Sequence, residues 1–354
     1  MVKEGVLKKD ASVTILHILG TTMILLCHLF QEAGMYALGE IFIIGVPLFL
    51  FVAGYLSGKK EITNSLKWIW KKLIRILLPY YLLIAVLFSL YELTKMAEVS
   101  LFQWIFCFFN LQGLNYSYWK FEAYGAVDGI GPLWFLTTMM FAYFLTPLFN
   151  KFRNVSFKKR YVVLLVLSTL TLQLFAMYIG LQLNYLIVYA IGYFTGAKGV
   201  RKDKKYYLII TIGMLILTAL RFYFRSVVDG SNFYDRYYAH LSANAIAIWI
   251  FYTVFYFETK YPKIYALAQK RWILFLETIS FYVYLVHYLF LCTPFAPIQY
   301  IDNLIIADII MLLFTFVTAV LLWWISEKII MRYICSNKKR RQGNLNENIA
   351  SNNG

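Results

Sequence analysis

The chain has 354 residues, of which 61% are hydrophobic and 19% aromatic, while only 15% carry charge. Soluble domains carry about 25% charged residues, so this composition excludes an ordinary soluble fold and indicates an integral membrane protein. A formal charge of +16 alone also fits a nucleic-acid binder; where the basic residues lie along the chain decides against that.

The first apolar run, Asp10 to Gln31, is long enough to cross a bilayer, which takes roughly 20 helical residues. It is longer than a signal-peptide core and no A-x-A cleavage site follows it, so it reads as a retained span. His17 and His28 are eleven positions apart, which returns to within about 20° of the same helical face, about 16 Å further along. Asp10, Thr14, Thr21 and Gln31 fall near the same line. Lipid does not tolerate such a polar stripe, so protein or water must face it.

Hydropathy predicts ten spans in all, near 11–31, 39–57, 73–94, 132–150, 161–179, 183–197, 206–224, 240–257, 272–293 and 304–326. With the amino terminus inside, 29 of the 34 Lys and Arg residues fall on the inner side; Lys95, Lys120, Arg221, Arg225 and Arg236 are the five outside. Basic loops resist translocation, so this asymmetry predicts ten transmembrane helices with both termini cytoplasmic, in the cell membrane. It accounts for most of the net charge without nucleic acid. The expected organisation is one all-α transmembrane domain over 1–335 and a basic, polar, disordered tail over 336–354.

Residues 59–75, KKEITNSLKWIWKKLIR, interleave basic and apolar side chains. They fit an amphipathic elbow on anionic lipid, and equally a cationic patch for a phosphate-bearing cosubstrate, with Lys71, Lys72 and Arg75 at the mouth of the third span. The run LFQWIFCFFNL at 101–111 is too short to cross and reads as an interfacial or re-entrant segment on the outer face. The loop around it holds Tyr116, Tyr118, Trp119, Glu122, Tyr124 and Asp128. Aromatics with carboxylates suit sugar binding, and an interfacial aromatic belt explains them as well.

The fourth span opens with Pro132, suited to a first helical turn, and Trp134 at its outer end. In the ninth, Glu277, Ser280, Tyr284 and His287 advance by three, four and three, making a second polar stripe. His28 and His287 lie at similar depth, roughly 22 to 26 Å from the inner ends of their spans at 1.5 Å per residue. Ionisable groups inside a bilayer are costly and tend to mark functional cavities, which makes this pair the candidate catalytic site. His240 lies near a loop end and carries no such argument. Cys27, Cys107, Cys292 and Cys335 are scattered, so neither a disulfide framework nor a metal site is indicated. No P-loop or GxGxxG occurs, so any chemistry belongs to the spans and their loops.

In order, these motifs resemble the membrane acyltransferase family 3, many-helix enzymes that O-acylate surface and extracellular polysaccharides. The family has arginine, ten residues and histidine in its first span; here His17 and His28 hold those places. Its second-span pattern FF-x-x-SG-aromatic-L is matched by LFLFVAGYLSG at 48–58, with Ala53 for the usual serine. R-x-x-P-aromatic is approached by Arg75 to Tyr80, and a Leu-Trp-Phe-Leu run with a later aromatic and Pro by Leu133 to Leu136, Tyr143 and Pro147. Ser-x-x-x-Tyr-Leu-x-His is matched by Ser280, Tyr284, Leu285 and His287. The resemblance covers nearly all of 11–326.

The resemblance implies an acyl-coenzyme A cosubstrate, acetyl-CoA first, with succinyl as another acyl group, and a glycan acceptor supplied by polysaccharide biosynthesis machinery. No permanently bound cofactor is implied. His28, His287 and Tyr284 are the expected catalytic set, with His17, Lys71, Lys72 and Arg75 holding the donor and Trp134 and Asp128 the acceptor. Replacing Arg by His at position 17 exchanges a permanent cation with forked donors for an imidazole. The alternative reading is a non-enzymatic exporter of a polysaccharide or lipid-linked glycan, its histidines lining a path.

Overall fold

In a computed structural model, residues 10–112, 127, 129–153, 160–178, 183–227 and 239–331 are described. Asp128, the aromatic loop residues Tyr116 to Tyr124 and the tail from Ser336 lie outside them. The described residues form helices and no strand.

The first helix, α1 (Ala11–Glu32), starts where the Asp10 carboxylate accepts a hydrogen bond from the Ser12 backbone N–H at 3.2 Å. That bond satisfies one of the donors left over at any helix start. Gly34, at φ 73°, turns the chain into α2 (Tyr36–Phe42) and α3 (Gly45–Gly58), which together make the second span. Next, α4 (Ser65–Thr94) is capped by the Asn64 side chain, which accepts from Lys67 N at 2.9 Å. It then doubles back through α5 (Leu101–Phe108), whose Ser100 and Gln103 form a reciprocal capping box.

This short helix lies antiparallel along α4. Trp104 meets Phe88 edge-on at 4.7 Å, while further down the Tyr80 hydroxyl donates to the Cys107 carbonyl at 2.6 Å. Phe88 to Tyr80 is about 12 Å of helix, so the segment runs down α4 as a re-entrant element does. It ends in a Schellman motif: Leu111 N–H bonds the Phe106 carbonyl, Asn110 N–H bonds that of Cys107, and Asn110 sits at φ 53°.

The remaining helices are α6 (Trp134–Lys151), α7 (Arg160–Tyr178), α8 (Leu186–Lys198), α9 (Lys204–Val227), α10 (Ala239–Phe257), the short α11 (Pro262–Leu267), α12 (Arg271–Val286) and α13 (Leu304–Trp323). Contacts fix their alternation. Lys59 and Asp10 pair at 2.9 Å, Lys202 and Glu258 at 2.6 Å, and the Asn150 amide exchanges two hydrogen bonds with the Ile62 backbone. These bonds gather the start of α1 and the ends of α3, α6, α8 and α10 at one end, here termed the basic end. At the opposite end Arg221 pairs with Glu40 at 3.0 Å, and the Cys292 thiol donates to Glu32 at 2.7 Å.

Eight helices among the described residues are long and apolar enough to cross a membrane, against ten predicted. Of the two other predicted spans, 161–179 coincides with the 19-residue α7, and 183–197 with the 13-residue α8. At 1.5 Å per residue α8 covers about 20 Å, less than a hydrocarbon core of about 30 Å. Its apolar composition has a source besides lipid: it lies inside the bundle, where Val188, Tyr189, Ala190 and Tyr193, with Tyr185 at its start, are each at most 1% exposed.

Helices α3 and α8 approach each other backbone to backbone. Gly54 and Gly58 on one, and Gly192 and Gly196 on the other, repeat the small-xxx-small spacing that lets membrane helices touch backbone to backbone. A Cβ at Gly58 would lie 2.0 Å from the Tyr193 carbonyl oxygen, and one at Gly196 2.0 Å from that of Tyr55. Since hydrophobic burial does not drive association inside lipid, this contact is what close packing there requires.

Candidate active site

Helices α1, α3, α4, α6, α12 and α13 line a cavity of about 450 Å³. His17, Lys72, Arg75 and Glu277 line it, with Ala53 on α3 and Tyr143 on α6. Thus His17, Lys72 and Arg75, three of the four residues singled out in the sequence for the donor, face one space. Lys71 is exposed and is not part of the lining. The two positions that depart from the family pattern, His17 and Ala53, line the same space as each other.

The polar stripes of α1 and α12 meet along this cavity. His17 Nδ1 lies 3.0 Å from Glu277 Oε1, and the Thr21 hydroxyl donates to the His17 carbonyl at 3.0 Å. The Lys72 ammonium stands over the rings of Trp68 and Tyr143, 5.4 and 5.5 Å from their centroids. Such a contact holds a cation in an apolar setting without neutralising it. Glu327, which accepts from the Tyr282 hydroxyl at 3.2 Å, adds a second carboxylate. Pro79, one helical turn after Arg75, has no N–H to give the Arg75 carbonyl.

His28 and His287, 259 positions apart in the chain, bring their rings to a centroid distance of 5.2 Å. Local structure sets both. At the end of α12 the chain tightens into a 3-10 turn over His287–Phe290. There the Nδ1–H of the fully buried His287 donates to the Tyr284 carbonyl at 2.6 Å. A carbonyl can only accept, so the proton is on Nδ1 and Nε2 carries the lone pair. That Nε2 is buried and has no hydrogen-bond partner among the described residues. On α1, His28 Nδ1 lies 3.0 Å from Gln31 Oε1, one turn ahead; where that amide oxygen accepts, the proton is on Nδ1 and Nε2 carries the lone pair. Tyr288 closes edge-on against His28 at 5.2 Å.

Tyr284 sits between the two regions. Its hydroxyl donates to the Pro132 carbonyl at 2.5 Å, so it ties the start of α6 to α12. Gly129, before α6, lies against the segment that carries His287: a Cβ there, where φ is 86°, would stand 3.1 Å from Leu289 Cδ2 and 2.6 Å from Thr293 Cγ2. Trp134, half-buried at the head of α6, packs against Tyr185 at 6.0 Å. Tyr185 in turn shares a 2.8 Å hydrogen bond with His240 Nδ1, and the Asn184 amide lies 3.3 Å from His240 Nε2. His240, which carried no argument in the sequence, is therefore an anchor for the wall behind Trp134.

The sequence reading also passed over an aromatic series. His17 stacks on Phe49 at 5.8 Å, Phe49 contacts Phe135 at 6.5 Å, Phe135 meets Tyr284 edge-on at 5.4 Å, and Tyr284 lies 5.9 Å from His287. Six rings thus run without a break from His17 to His28. A signal was present: Phe49 lies one turn before Ala53, and Phe135 is inside the Leu133–Leu136 motif.

The family model described as an acyltransferase domain, that of acyltransferase family 3, matches residues 10–326. Comparison with curated proteins and with solved structures returned no match. A family match over nearly the whole helical region, on a chain whose histidines meet inside a helical bundle able to cross a membrane, settles the class: this chain belongs to acyltransferase family 3 and is a membrane acyltransferase.

Proposed function

We propose that the protein moves an acyl group, acetyl first, from an acyl-coenzyme A to a hydroxyl of a cell-surface or extracellular polysaccharide. The observation that carries this reading is the stacking of two stations along α1: a cavity with two cations at the basic end, and the His28–His287 pair about 16 Å further on. The charge asymmetry of the sequence supports a cytoplasmic basic end, on the side where acyl-coenzyme A is made. Lys72 and Arg75 then hold coenzyme phosphates, and the His17–Glu277 pair stands where the family has a permanent cation.

At the second station, His28 Nε2 takes the proton of the acceptor hydroxyl as its oxygen attacks the thioester carbonyl carbon. The carbon–oxygen bond of the ester forms, the carbon–sulfur bond breaks, and the proton passes to the departing sulfur. His287 Nε2 is oriented by its backbone hydrogen bond to receive an acceptor hydroxyl, and Trp134 supplies an apolar wall for a sugar ring.

Lys72→Ala should raise the KM for the acyl donor about tenfold with kcat largely kept, because a charge-assisted contact made equally in ground and transition states is removed. Initial rates across donor concentrations in membrane vesicles read this directly. For the function itself, mass spectrometry of surface glycan from cells with and without the gene should show loss of one class of ester on otherwise exported polymer. Polymer retained inside the cells would instead mark an export role.

A further inference from the structure

Whatever travels from the cavity to the histidine pair must pass aromatic side chains. Phe49, Phe135 and Phe281 belong to the lining of the cavity, whereas Tyr284, His287 and His28 do not. Phe135 fills the space between the two regions: it is 3% exposed and touches Phe49 on one side and Tyr284 on the other. Phe281 stacks on Tyr284 at 6.4 Å, with their planes 25° apart. Tyr284 is pinned by its bond to the Pro132 carbonyl, so it does not yield easily. These rings form a partition drawn from three helices, α3, α6 and α12.

We propose that this partition sets the size of the acyl group, with Phe135 as the specificity-determining residue, and that the protein is confined to short unbranched acyl groups, acetyl and at most propionyl. The inference rests on the proposed reading of the two stations. A thioester held in the cavity must present its carbonyl carbon to His28, so the acyl group has to enter among rings already in contact. Close-packed interiors yield to added methylenes only by forcing neighbours off their preferred rotamers. Discrimination of about tenfold or more for each added methylene is the usual result in such a slot. Phe49, half-buried and with its edge against Gly20, and Ala53 one turn below it leave room beneath the partition but none across it.

The test uses membrane vesicles from the native cells, which carry their own acceptor, with the full chain produced from its own gene as wild type or as Phe135→Ala. Vesicles receive acetyl-, propionyl-, butyryl- or hexanoyl-coenzyme A at equal concentration, and esters released from the glycan by mild alkali are quantified by mass spectrometry. Wild type should give acetyl esters, with butyryl at least about a hundredfold lower. Phe135→Ala should raise the butyryl-to-acetyl ratio at least tenfold, and Phe135→Leu by less. Phe251→Leu, which loosens packing against Phe51 on the far side of α3, should leave the ratio unchanged. Acetyl transfer by a folded Phe135→Ala protein with the wild-type ratio overturns the partition alone, as does efficient butyryl transfer by the wild type. Absence of transfer from every thioester by the wild type overturns the underlying donor reading, and the partition with it.

Discussion

Replacing His28 by alanine is expected to lower acyl transfer about 10²–10⁴-fold while leaving the protein folded in the membrane. The size follows from what is removed. A hydroxyl attacks a thioester poorly until its proton has somewhere to go, and His28 Nε2 is the nitrogen that the Gln31 contact leaves for it. The fold should tolerate the change, since His28 is only half-buried and its side-chain partner, Gln31, lies on the same helix. His287→Ala should cost activity as well, but it also opens a fully buried site beside Tyr284, so protein levels must be followed in parallel. Proton NMR of bulk polysaccharide from wild-type and His28→Ala cells reads the outcome. Unchanged ester signals with the variant present in the membrane would remove His28 from the chemistry.

The second large effect concerns assembly. Gly192→Leu should prevent the α3–α8 contact from forming and deplete folded protein. A Cβ at that position would already lie 2.3 Å from the Phe51 carbonyl oxygen, and in the reciprocal contact a Cβ at Gly54 would lie 2.2 Å from that of Tyr189. Backbone cannot swing aside as a long side chain can, so the helices must separate. Overpacking of ordinary cores costs about 1–3 kcal/mol, and here rigid backbone raises the cost toward or beyond the upper figure. Even Gly58→Ala and Gly196→Ala should be destabilising. Gly213 on α9 has nothing within 4 Å of the same added atom, so Gly213→Ala should be neutral or slightly stabilising, as helix propensity alone dictates. Detergent-extracted yield and thermal unfolding of the four variants give the comparison; a Gly192→Leu protein as stable as wild type would refute the packing argument.

Much of the site was legible in the sequence because the cost of polar groups in lipid is local. The stripe from His17 to His28 and the advance from Glu277 to His287 could each be read along one helix, and both stripes do face protein. Similar depth also foretold that His28 and His287 could meet. The pairing of His17 with Glu277 was not legible, nor was the departure of Lys71 from the cavity that Lys72 and Arg75 line. A hundred degrees of helix separates Lys71 from Lys72, and only the neighbouring helices decide which side is inward.

The short helix α8 teaches the same distinction. Apolar composition reports that a segment avoids water, and α8 avoids it by lying inside the bundle as lipid-facing helices do by lying in the membrane. The sequences GYLSG and GYFTG carried the small-residue spacing in plain view. Spacing alone does not say which two helices touch, since several helices here present glycine or alanine to a neighbour.

By itself the sequence determined that this is a helical membrane protein, which segments are apolar enough to cross, and where imidazoles and cations lie along each helix, since all three depend on residue type and helical period. Tertiary structure alone decided that α3 and α8 touch through four glycines, that His17, Lys72 and Arg75 line one cavity, and that a series of rings lies between it and the histidine pair. Those features join residues far apart in the chain, such as His17 and Glu277 at 260 positions, and only the packing of helix on helix settles which faces meet.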